Sequence, residues 1–148
     1  MTNFVTGGYG GDISAIEAYE LLKTDETAIL VDVRTKPEWT FVGAPDLSPL
    51  NKEPVFIEWQ EYPSMQVNPQ FGERLRAVIA DRGGDAATPL LFLCRSGARS
   101  QAAAKAMTAA GQLKCLNIVG GFEGGHDVSR RRGFVQGWKA GGLPWAQS

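Results

Sequence analysis

Among 148 residues there are two cysteines, Cys94 and Cys115, and one histidine, His126. Cys94 ends the apolar run Leu90-Leu-Phe-Leu and is followed at once by Arg95, Ser96, Gly97, Ala98, Arg99 and Ser100, then by an alanine-rich stretch. A cysteine at the carboxyl end of a buried strand, on a tight loop that opens into a helix, faces backbone N–H groups and the positive end of that helix. Arg95 and Arg99 add cationic side chains, and Gly97 permits a sharp backbone path. Such surroundings favour thiolate over thiol and mark Cys94 as a nucleophile. The competing reading is a buried cysteine that serves as a small apolar residue; the polar, cationic run that follows Cys94 favours chemistry.

The other reactive types are sparse. Two cysteines and a lone histidine form neither a disulfide framework nor a cluster with zinc-ligand spacing, so no metal and no cofactor is expected. His126 is far along the chain from Cys94 and reads as a surface or loop residue rather than a base. Cys94 ends its strand, whereas Cys115 precedes Leu116-Asn-Ile-Val119 and so begins the next one; in parallel neighbours the two sulfurs lie at opposite edges of the sheet. Asp32 and Arg34 follow another apolar run and should reach the carboxyl edge where α/β proteins place their sites, either supporting the site or as a structural ion pair. Glu58, Trp59, Tyr62 and Met65 follow a third run and read as a pocket wall or as plain packing.

The elements that must place these residues alternate short apolar runs with helical stretches, the sequence form of an α/β domain with a mostly parallel sheet. Ser14-Ala-Ile-Glu17 is a capping box, and the helix it starts has Ile16, Tyr19 and Leu22 as its apolar face and ends near Lys23. Ala28-Ile-Leu-Val-Asp-Val33 reads as a strand covered on both faces, and Pro54-Val-Phe-Ile-Glu58 as a shorter one with proline at its start. Phe71 to Asp81 is a helix, with Leu75, Val78 and Ile79 at helical spacing and Gly83-Gly84 beyond it. The helix after Cys94 runs from about Arg99 to Ala110 and closes at Gly111; Leu116 to Val119 is a last strand before Gly120-Gly121. The glycine-rich residues 1–13 hold one short edge strand at most. In the tail, Phe134 and Trp138 lie four apart, which predicts a helix ended by Gly141-Gly142 and Pro144 and packed on the body. Arg130-Arg131-Arg132 reads as a solvated face before an anion patch.

The run Cys94-Arg-Ser-Gly-Ala-Arg-Ser100 resembles the active loop of bacterial single-domain rhodaneses, sulfurtransferases that carry sulfur as a cysteine persulfide. Leu30-Val-Asp-Val-Arg34 with Glu38-Trp39 is similar to the family's Asp-Val-Arg segment, and Asn117-Ile-Val-Gly-Gly-Phe122 to its Gly-Gly-Phe element. Where family members carry Gly-His-Ile, this chain has Val42-Gly-Ala-Pro45, so no role of that histidine carries over. The resemblance implies one domain over 1–148, with a core of about 12–125 and an extension, 126–148, packed on it. Its fold would be α/β, an open and mostly parallel sheet of about five strands with helices on both faces. It also implies transfer of sulfur from thiosulfate or another persulfide donor, through Cys94, to a thiol or cyanide. Arg95 to Ser100 would bind the donor, with Asp32, Arg34 and Trp59 behind them. In related phosphatases an arginine lies six positions after the cysteine; here that position is Ser100 and Arg99 lies at five, a loop that suits a sulfur atom better than a phosphate monoester. The second reading is a protein-binding relay that hands sulfur to an acceptor protein, or a signalling domain with little small-molecule turnover, favoured by the aromatic insertion 54–71; the proline-rich stretch 45–69 and the long tail also depart from a minimal domain of the family.

Composition bounds the partners. Fifteen Lys and Arg against sixteen Asp and Glu give a net charge of -1, without the basic excess that nucleic acid or a membrane surface demands. A chain of this length buries about 68–70% of its unfolded surface and needs no disulfide staple. No window reaches the ~18 apolar residues of a membrane span, and the residues after Met1 lack a signal-peptide pattern. A cytoplasmic location is therefore expected, where reducing conditions keep a thiol free.

Overall fold

The computed structural model describes residues 8–125, 128–132 and 136–147. In chain order the elements are β1 (Asp12–Ile13), α1 (Ala15–Thr24), β2 (Ile29–Asp32), β3 (Ala44–Pro45), β4 (Val55–Phe56), β5 (Gln60–Glu61), β6 (Gln66–Val67), α2 (Phe71–Asp81), β7 (Leu90–Leu93), α3 (Ala98–Ala109), β8 (Cys115–Ile118) and β9 (Trp145–Ala146). Five of the strands form one sheet in the order β1-β8-β7-β2-β4, with every neighbouring pair parallel. This is the expected α/β architecture.

All four residues of β2 and of β7 are buried, because each strand is covered on both faces. Side chains alternate between two cores. Ile29, Val31, Leu90, Phe92 and Cys94 point toward Phe71, Leu75 and Ile79 of α2 and Ala103, Ala104 and Met107 of α3. Leu30, Leu91 and Leu93 point the other way, toward Ala15, Ala18 and Leu22 of α1 and toward Phe122 and Trp138. Helices therefore lie on both faces, and β7, which delivers Cys94, has a neighbour on each side.

The Ser14–Glu17 capping box forms as read: Glu17 N–H donates to Ser14 Oγ at 3.0 Å, and Ser14 N–H to Glu17 at 2.9 Å. The buried stripe of α1 differs from the expected one. Ala15, Ala18 and Leu22 face the sheet, Tyr19 is half-buried with its ring edge-on to Trp138, and Ile16 is 56% exposed. The helix lies close to the sheet where its residues are small, so large apolar residues alone misplace the stripe. The strand read over 54–58 contributes only Val55–Phe56 to the sheet, and the chain then turns into the antiparallel hairpin of β5 and β6.

The tail departs from the helical expectation. Residues 136–142 form turns, Phe134 lies outside the described residues, and helix propensity is low where Gly137, Gly141 and Gly142 recur. Trp138 is nonetheless fully buried, its indole N–H donates to Pro144 O at 2.7 Å, and β9 pairs with β3. Among the described residues, no helix is long and apolar enough to cross a membrane.

Candidate active site around Cys94

Cys94 leaves β7 at the carboxyl edge of the sheet, and its side chain is buried. The Gly97 N–H donates to Sγ at 3.1 Å, and the Ser100 hydroxyl lies 3.2 Å from the same atom. Gly97 has φ 122°, a conformation open to glycine, and is the N-cap of α3. Behind the loop, the carbonyl of Cys94 accepts from Phe122 N–H at 2.8 Å, and that of Arg95 from Glu123 and Gly124 N–H at 2.9 and 3.1 Å. The turn after β8 thus holds the loop carbonyls away from the sulfur. Gly121, at φ 57°, makes this approach possible, since a Cβ there would run into the Cys94 carbonyl oxygen.

In front of the sulfur lies a cleft of about 350 Å³, lined by Cys94, Arg95, Ser96, Ala98 and Arg99 of the loop and by Glu38, Gln60 and Met65. Arg99 meets Glu38 in a two-pronged pair of 2.7 and 2.9 Å. Glu38 also accepts from the Thr35 N–H at 3.1 Å and hydroxyl at 2.9 Å. Burial opposes the charge on Glu38, but the Arg99 hydrogen bonds and charge, with those from Thr35, outweigh it and hold the carboxyl below its ordinary range. Burial likewise opposes the charge on Arg99, and Glu38 more than offsets it. Arg95 and Ser96 are exposed, and Arg95 makes no ion pair among the described residues.

Asp32 and Arg34 form a fully buried ion pair of 2.8 Å. Arg34 also donates to Gly43 O at 2.8 Å, and its guanidinium stands 4.2 Å from the centre of the Phe122 ring. Arg34, held by Asp32, therefore braces Phe122, whose N–H holds the Cys94 carbonyl, and neither Asp32 nor Arg34 lines the cleft. Trp59 packs edge-on against Phe71 at 5.2 Å and faces the core. Of the other residues after β4, Met65 lines the cleft, Glu58 accepts from the Lys36 N–H, and Tyr62 is 60% exposed. Arg132 donates to Gly124 O at 2.6 Å, beside the turn that supports the loop; His126 lies outside the described residues.

Two residues at the site, Glu38 and Asn117, stand in the segments that resemble the family but were given no role from the sequence. Glu38 stands three residues after Thr35, a capping-box spacing that signals a fixed carboxylate. Asn117 is a polar residue inside the apolar run of β8, and a buried polar side chain requires a partner. Its Oδ1 lies 2.6 Å from Ser100 Oγ, and its Nδ2 donates to Asp12 at 3.1 Å.

Cys115 pairs in register with Leu90, at the amino edge of the sheet. Cys94 is four residues beyond Leu90, so the two cysteines are separated by roughly 13 Å at ~3.3 Å per residue, past the ~7 Å Cα limit for a disulfide. Burial pushes the Cys115 thiol up to about 11. Among the described residues there is no group of His, Cys, Asp and Glu able to hold a metal ion.

The sequence pattern of the family described as the STR4 middle domain matches residues 10–148. The uncharacterized protein RC0915 of Rickettsia conorii is 37% identical over 134 residues, 90% of this chain and 95% of that protein. The RP600 homolog of Rickettsia rickettsii is 38% identical over the same extent. Among solved structures, the crystal structure of Rv0390 from M. tuberculosis superposes with a TM-score of 0.83 at 45% identity, covering 95% of this chain and 99% of that one. The polysulfide-sulfur transferase homodimer from Wolinella succinogenes has a TM-score of 0.56 at 24% identity, over 92% of this chain and 77% of that one, and shares the rhodanese-like fold.

Proposed function

From the premise that the chain belongs to the STR4 middle-domain family and has a rhodanese-like fold, we propose that it is a sulfurtransferase acting through a persulfide on Cys94. The observation that carries this reading is the loop after β7. There a buried sulfur receives the Gly97 N–H at 3.1 Å, beside the Ser100 hydroxyl, and opens onto a cleft with two arginines. Donors aimed at a fixed sulfur stabilise negative charge as it develops, without reorganisation.

The reaction is a double displacement. The Cys94 thiolate attacks the outer sulfur of thiosulfate, a new S–S bond forms, and the old one breaks with its electron pair leaving on sulfite. Arg95 draws in the anionic donor and Arg99 orients it. A cyanide or thiolate acceptor then attacks the outer sulfur of the persulfide, and the Cys94 thiolate is restored. The cycle needs no metal or cofactor and suits a reducing compartment such as the cytoplasm. Transfer to a protein thiol is the second reading. The feature that favours it is the β5–β6 hairpin at the cleft, which exposes Tyr62, Met65 and Val67.

Intact mass before and after incubation with thiosulfate tests the proposal. Wild type should gain the mass of one sulfur atom, lost again on treatment with cyanide, and Cys94→Ser should gain none. Wild type without the gain, or equal gain in both proteins, would sink it. If transfer to small acceptors is slow while loading is complete, the relay reading is preferred.

A further inference from the structure

The Ser100 hydroxyl has one hydrogen and three neighbours able to take it: Cys94 Sγ at 3.2 Å, Gly97 O at 3.1 Å and Asn117 Oδ1 at 2.6 Å. Asn117 is not free to present its other end. Its Nδ2 donates to Asp12, and a carboxylate accepts only, so the amide is locked with its oxygen toward Ser100. Asp12 is fixed in turn by the Tyr9 hydroxyl at 2.7 Å, and the Tyr9 oxygen accepts from Gln101 at 3.0 Å. β1 and β8 enforce the pairing, since Asp12 and Asn117 are register partners. The donors converge on Asp12 from both sides and leave the Ser100 hydrogen on Asn117, with oxygen lone pairs toward the sulfur. That arrangement welcomes an S–H donor and opposes a thiolate. To solvate an anionic sulfur, Ser100 must turn its hydrogen back and leave two oxygens facing each other at 2.6 Å.

We propose that Asn117 and Asp12 are positioning residues that hold the Ser100 hydroxyl hydrogen away from Cys94 and so restrain ionisation of the reacting sulfur. The effect opposes that of the Gly97 N–H and of Arg95 and Arg99, and it places a brake on the nucleophile two strands away, at the sheet edge. It rests on Cys94 being the reacting thiol.

The test is the pH-rate profile of Cys94 alkylation by iodoacetamide in the full chain. Cys115 is buried, burial holds its thiol up at about 11, and a Cys94→Ser control verifies its silence. Asn117→Leu removes the competing acceptor without a change of charge. Asp12→Ala unlocks the amide, and measurement at high salt screens the lost charge. Both should move the rise of the profile to lower pH by about one unit, with the plateau unchanged, while Ser100→Ala, which takes the hydroxyl lone pairs away from the sulfur, does not move it upward. The charged groups of the cleft, Glu38, Arg95 and Arg99, and the Asp32–Arg34 pair behind it are the same in every variant. Mere loosening of the structure would instead raise the rate at all pH values, plateau included. That result, or an unshifted or upward-shifted profile in both variants, overturns the proposal. Asp12→Ala alone decides if Asn117→Leu does not fold. Alkylation requires no sulfur donor, so this outcome is separable from failure of sulfur transfer.

Discussion

Arg99 meets Glu38 across the rim of the Cys94 cleft at 2.7 and 2.9 Å, so the anionic donor we propose would compete with a resident carboxylate for the same guanidinium. Arg99→Ala removes a charge-assisted contact worth about 1.5–3 kcal/mol and leaves Glu38 facing the donor, so thiosulfate efficiency should fall roughly tenfold or more. Glu38→Gln should act in the opposite direction. The competitor is lost, and with a part-buried pair worth about 1 kcal/mol the KM for thiosulfate falls roughly fivefold while that for cyanide changes less. Unchanged KM values in both variants would remove the pair from donor binding. The same variant reports on stability. The carboxyl of Glu38 titrates in the folded protein below its ordinary value of 4.5. Its contribution is therefore complete above that value and is lost as pH falls through the lower, folded one. Thermal midpoints of wild type and Glu38→Gln should differ at neutral pH and converge in acid below 4.5. A difference that persists undiminished there would show that the ion pair is not its source.

Among the elements, the turn after β8 has the most demanding backbone, since it brings Gly121 against the carbonyls of Cys94 and Arg95. Gly121→Ala combines two costs: a φ of 57° that disfavours L-residues by roughly 1–2 kcal/mol, and a methyl driven into main-chain oxygens. Gly83 separates them, because at φ 77° its Cβ would meet nothing within 4 Å. Urea titration should find Gly121→Ala the more destabilising of the two by more than about 1 kcal/mol, with slower thiosulfate loading as the loop shifts; equal losses would deny the collision. Local signals explain which elements the sequence revealed. α2 begins and ends where its periodicity and the glycines beyond it place it, and the Ser14–Glu17 box starts α1. β7, the loop and α3 followed from an apolar run breaking at Cys94. The β5–β6 hairpin and the turns around Trp138 depend on tertiary contacts instead. Their two-residue strands have no period to read, and nothing local foretells that β9 crosses to β3. The Glu38–Arg99 and Ser100–Asn117 contacts were hidden for the same reason, each joining residues far apart in the chain.

At the scale of the whole molecule, the tail is tied to the chemistry through backbone bonds. Trp138 N–H donates to Gly121 O at 2.8 Å and Lys139 N–H to Phe122 O at 3.1 Å, so the segment grips the turn that grips the Cys94 loop. The Trp138 indole fills the core on the α1 side with Leu30, Leu91 and Phe122, and the Tyr19 ring stands edge-on to it at 5.8 Å. Phe122 is shared between the two roles, with Arg34 at 4.2 Å and Lys139 at 5.2 Å from its ring centre. We therefore expect 126–148 to act as part of the folding unit rather than as an appendage. Trp138→Ala removes the largest of the fully buried side chains. Truncations of this kind cost about 3–5 kcal/mol, a large part of the 5–15 kcal/mol that holds a domain together. For a chain of this length each kcal/mol shifts the midpoint by about 2–4 °C, which predicts a fall of roughly 6–20 °C in thermal unfolding. The transition should remain single, since the cavity opens in a core shared by the sheet, α1 and the tail. A drop of less than about 2 °C, or an early separate transition with the rest of the melt unchanged, would show that the tail is an independent strap and that the Cys94 loop is held without it.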